Sequence, residues 1–94
     1  MAATNFRTEK LLKELNDLFQ KRLVRFEDIK YYALNGNKEQ IQYAYGQCVS
    51  LRRAVHDLLV AFNLTDTELY KNNDVRFELD YLVEWEKELE QLNE

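Results

Sequence analysis

Few side chains in this 94-residue chain are of the types that carry out nucleophilic or acid–base chemistry, and their spacing decides what they can do. Cys48 and His56 are the single cysteine and the single histidine. Eight positions separate them, about 12 Å along a helix, which is too far for a thiolate and an activating base. Cys48 also falls among apolar residues at helical intervals, the setting of a buried, inert thiol. His56 beside Asp57 would suit a metal site only with further histidines, and the chain has none. Glu84, Glu86, Glu88 and Glu90 radiate from one segment instead of converging on a dry cleft, so they read as a solvated face. Gly36 and Gly46 are ten positions apart and cannot form a phosphate-cradling loop. No catalytic residue, cofactor or metal-ligand set is therefore expected, and the chain does not read as an enzyme.

The elements that must position any functional surface are helices. Proline is absent, glycine occurs twice, and Leu, Glu, Lys and Gln are abundant. From Thr4 to Leu34, apolar residues including Leu11, Leu15, Leu18, Phe26, Ile29 and Ala33 recur at steps of three and four, the interval of one helical face. Asn35-Gly36-Asn37 ends that helix, because glycine and asparagine accept positive φ at low cost. From Lys38 to Phe62 the pattern returns through Ile41, Ala44, Cys48, Val55 and Leu59, which completes a helical hairpin. Residues 63–75 are rich in Asn, Asp and Thr and form a connector, in which Thr65 with Glu68 suggests a capping box for one short helical turn. Leu79, Leu82, Trp85, Leu89 and Leu92 then mark a third helix, Asp74 to Leu92, with Asp74 as its N-cap. The expected fold is all-α: one domain over residues 1–94, in which a long antiparallel helical hairpin carries a shorter third helix as a three-helix bundle.

Length then sets an expectation about partners. The three helices would measure about 45, 38 and 26 Å, so the third cannot cover the hairpin. Running back from the end of the second helix, it should screen Leu11, Leu12, Val55 and Phe62 and leave the turn end bare. That end holds Tyr31, Tyr32, Tyr43 and Tyr45, four of the six tyrosines, and bare aromatic patches mark contact surfaces. The expected function is a non-enzymatic protein-protein interaction module, a homodimer whose helical faces dock other helices with these tyrosines as anchors. Gly46, inside a helix, costs about 1 kcal/mol relative to Ala and suits a close approach of another helix, within the chain or between copies.

Charge is unevenly placed. Up to Arg53 the chain has ten Lys or Arg against six Asp or Glu, and from Ala54 onward three against eleven, so halves of +4 and −8 make up the net −4. Asp80, Glu84 and Glu88 form a like-charge ladder at i, i+4 and i+8, the charged edge of the expected contact surface. Pairing with Lys21, Arg22, Arg25, Arg52 and Arg53, within the chain or across a dimer, is the simplest compensation. The alternative function is a small acidic inhibitor of a nucleic-acid-processing enzyme, of the kind mobile elements encode, whose acidic helix imitates phosphate. Direct nucleic-acid binding by the basic residues is not expected at a pI near 5.0. The longest apolar run, Leu58 to Phe62, is far short of the roughly 18 residues of a membrane helix, and residues 1–10 lack a secretory apolar core. A cytoplasmic protein with no membrane partner and no internal disulfide is the expectation.

Overall fold

A computed structural model describes residues 6–92, and over them the chain is all-α, without strands. The helices are α1 (Phe6–Leu34), α2 (Lys38–Ala61), α3 (Glu68–Asp74) and α4 (Phe77–Leu92). α1 and α2 form the antiparallel hairpin, and α4 is the shorter helix packed on it. Thr4, the expected first residue of α1, lies outside the described residues.

Both long helices end through the same backbone device. At the end of α1, Gly36 has φ 68°, its N–H donates to the Ala33 carbonyl at 3.2 Å, and the Asn37 N–H donates to the Tyr32 carbonyl at 3.0 Å. Asn37 then caps α2, its side-chain oxygen accepting from the Gln40 N–H at 3.2 Å. At the end of α2, Asn63 takes the left-handed position with φ 57°, and the Leu64 N–H donates to the Leu59 carbonyl at 2.8 Å. Leu64 packs back onto the Leu59 cluster, the apolar contact that accompanies such an ending.

Two details of the connector differ from expectation. Thr67, not Thr65, is the N-cap of α3, because its hydroxyl accepts from the Tyr70 N–H while donating to the Leu64 carbonyl at 2.7 Å. Asp74 closes α3 instead of opening the following helix, which begins at Phe77 after an extended Val75.

The core has two apolar clusters. Near the hairpin turn, Ile29, Ala33, Ile41, Ala44 and Cys48 are buried under Tyr32, Tyr45, Tyr81, Leu82 and Trp85. Toward the open end, Leu15, Val55 and Leu59 are covered by Leu64, Leu69 and Tyr70. Coverage is thus the reverse of that expected from helix length. α3 and the connector screen the open end, while α4 starts partway along the hairpin and runs over the turn end. Phe62 remains 58% exposed. The physical reason is an anchor between α1 and the start of α4, at Arg22. The molecule is a rod with principal extents of 60 × 19 × 15 Å and a radius of gyration of 16.3 Å, against about 12 Å for a compact domain of this length.

Candidate functional site

Polar chemistry in the interior is concentrated at Arg22. Leu15, Arg22 and Ile29 are spaced by seven along α1, so the arginine occupies a core-facing position between two apolar ones and is fully buried. Its five N–H donors are all used. Nε and Nη2 grip the Glu78 carboxylate, with Nη2 to Oε2 at 2.8 Å. Nη1 donates to the Asn73 carbonyl at 2.8 Å and to its Oδ1 at 3.4 Å, and Nη2 also donates to the Val75 carbonyl. The Phe77 ring lies 4.2 Å from the guanidinium carbon. Asn73, itself buried, donates from Nδ2 to the Arg52 carbonyl at 3.0 Å. One side chain therefore ties α1 to α3 and α4 directly, and to α2 through Asn73. The sequence placed Arg22 among the cations expected to pair with the acidic half, and singled out neither Glu78 nor Asn73. The available signal was the seven-residue spacing. With every donor satisfied and no exposed surface, the cluster is structural.

Cys48 lies beside this anchor, its thiol donating to the Arg22 carbonyl at 3.6 Å. Burial, and then the Glu78 carboxylate, push the thiol from 9.0 up to about 12, so it stays protonated and is a poor nucleophile. The half-buried His56 stacks on Tyr70 with ring centroids 5.5 Å apart. Among the described residues no three His, Cys, Asp or Glu side chains gather in a group able to hold a metal ion.

The four turn-end tyrosines divide into two pairs. Tyr32 and Tyr45 pack against the core cluster that α4 covers, whereas Tyr31 and Tyr43 are 63% and 65% exposed. Of the acidic candidates, Asp80, Glu84 and Glu88 all lie exposed on α4. Glu84 pairs with Lys87 of its own helix at 3.7 Å, and among the described residues Asp80 and Glu88 form no ion pair. The acidic half is tied to the basic half elsewhere, by Glu78 on Arg22 and by Asp74 on Arg52 at 3.4 Å.

On the side of the hairpin that α4 leaves bare, α1 and α2 border an open groove of about 820 Å³. Lys21, Val24 and Arg25 form one wall, and Tyr43, Gln47 and Leu51 the other. Gly46 opens its floor, and a Cβ built there meets nothing within 4 Å. Gly46, Ser50 and Ala54 follow at intervals of four along α2 and are all exposed. The helix-propensity cost at Gly46 thus has no compensating contact inside the chain.

No protein-family model matches this chain, and neither a curated protein nor a solved structure shows significant similarity to it.

Proposed function

We propose that the chain is a non-enzymatic protein-protein interaction module that pairs with a second copy of itself, laying the bare α1/α2 face of one protomer against that of the other. The observation that carries this reading is the groove at Gly46. Val24, 53% exposed, and Tyr43 flank a glycine at which an added Cβ would meet nothing within 4 Å. Tyr31 extends the same α1 stripe one heptad beyond Val24. Surface area supports a second copy as the occupant. The accessible surface is 6941 Å², whereas a compact monomer of 11.3 kDa exposes about 5,700 Å². The excess is of the order of the 800 Å² that each partner contributes to a stable interface. Sedimentation equilibrium tests the proposal. The wild type should run as a dimer at high micromolar concentration, and Val24→Asp with Tyr43→Asp should return it to a monomer with unchanged helical circular dichroism. A monomeric wild type would remove self-pairing.

A second reading is favoured by the exposed carboxylates of α4. Asp80, Glu84 and Glu88 point a ladder of negative charge at solvent with little neutralisation, which suits an acidic inhibitor that occupies the basic groove of a nucleic-acid-processing enzyme. Under this reading, charge reversal at Glu84 and Glu88 abolishes inhibition and leaves self-association intact, and affinity falls steeply with ionic strength.

A further inference from the structure

Between α2 and the start of α4 lies a cleft of about 140 Å³ lined by three arginines, Arg52, Arg53 and Arg76, with Tyr45 among its walls. Guanidinium groups gathered around one small cleft repel one another unless a negative charge lies between them. The nearby carboxylates are already engaged: Asp74 pairs with Arg52 at 3.4 Å, and Glu78, which also borders the cleft, is gripped by Arg22. Asp57 and Asp80 follow Arg53 and Arg76 by one helical turn, yet neither comes within ion-pair distance. Among the described residues Arg53 and Arg76 have no ion pair or hydrogen-bonded side-chain partner. With Glu78 neutralised by Arg22 and Arg52 by Asp74, the guanidinium groups of Arg53 and Arg76 are the two charges at the cleft without an ion pair, a surplus of two among its lining residues.

We infer that this cleft binds a phosphate dianion, held between the guanidinium groups of Arg52, Arg53 and Arg76. The surplus of two charges matches a doubly ionised phosphate better than a carboxylate or the singly charged phosphodiester of nucleic acid. The cleft encloses one phosphate group, so a nucleoside attached to it would lie outside. The site is separate from the groove at Gly46 and does not depend on self-pairing.

Thermal unfolding of the full chain in rising inorganic phosphate, against chloride of matched ionic strength, tests the site, with phosphorus NMR line broadening as an independent readout. The midpoint should rise saturably with phosphate. Arg53→Ser should weaken binding about tenfold or more, and Arg53→Ser with Arg76→Ser should abolish it, while loss of the mutual repulsion keeps the midpoint in chloride at or above that of the wild type. Adenosine monophosphate separates the sources: tighter binding than inorganic phosphate indicates a nucleotide, equal binding a free phosphate. Equal midpoints in phosphate and chloride, an equal rise with acetate, or a phosphate effect that survives in the double variant would each overturn the assignment.

Discussion

Arg22 sits at a position where helical spacing asks for leucine, and the consequences of that choice are measurable. Removing one member of a buried, fully hydrogen-bonded ion pair strands the other, which costs about 3–5 kcal/mol. Arg22→Met and Glu78→Leu should each lower the unfolding free energy measured in urea by that order. The double replacement should recover much of the loss, because two apolar groups leave no buried charge unpaired. A small loss in Glu78→Leu, with equal losses in Arg22→Met and the double variant, would show that the backbone bonds to Asn73 and Val75 carry the effect. Arg22→Lys should not rescue, since an ammonium cannot grip a carboxylate and two carbonyls in one plane. Cys48 offers a test in pH. The folded chain keeps the thiol proton to about 12, while the unfolded chain releases it near 9.0. Stability from the neutral thiol is therefore full below about pH 9 and declines as pH rises toward about 12. Between about pH 8 and about pH 10.5, wild type should lose more unfolding free energy than Cys48→Ala, and parallel losses would contradict a buried thiol.

At the scale of elements, α2 carries a glycine whose removal has opposite effects in the two states. Within one chain nothing occupies the space beside Gly46, so Gly46→Ala should stabilise the protomer by about 1 kcal/mol through helix propensity alone. At the proposed interface the added methyl separates the helices, so dimerisation should weaken. Thermal melts at low concentration and sedimentation at high concentration read the two effects separately. Element boundaries were legible because punctuation and periodicity agreed: Asn35-Gly36-Asn37 ends α1 and caps α2 as its residue types require. The connector was less legible. Thr65 and Thr67 both precede a helix-forming run, and only the packing of Leu64 and Tyr70 onto Leu59 decides which hydroxyl meets a free N–H.

At the scale of the molecule, α4 is an integral member of the bundle and not an appendage, because it supplies the counterion of α1. A chain truncated after Asp74 should lose cooperative unfolding and much of its helical signal. Without Glu78 the buried Arg22 has no carboxylate, and the turn-end cluster loses Tyr81, Leu82 and Trp85. A truncated chain that melts cooperatively near the wild-type midpoint would show that the hairpin stands alone. The excess surface of the 60 Å rod belongs to this scale too, since it arises from two long helices covered on one side only.

Periodicity, two glycines and the absence of proline were enough to determine an all-α chain with a long hairpin and a shorter helix packed on it. Those features depend on local spacing, and local spacing is written directly in the residues. The path of α4 along the hairpin, the sheltering of Tyr32 and Tyr45 with Tyr31 and Tyr43 left outside, and the gathering of Arg52, Arg53 and Arg76 were decided only in three dimensions. Each depends on an ion pair between residues 56 positions apart, Arg22 and Glu78. A charge read along one helix shows which face it lies on, but its partner is fixed only when another element closes over it.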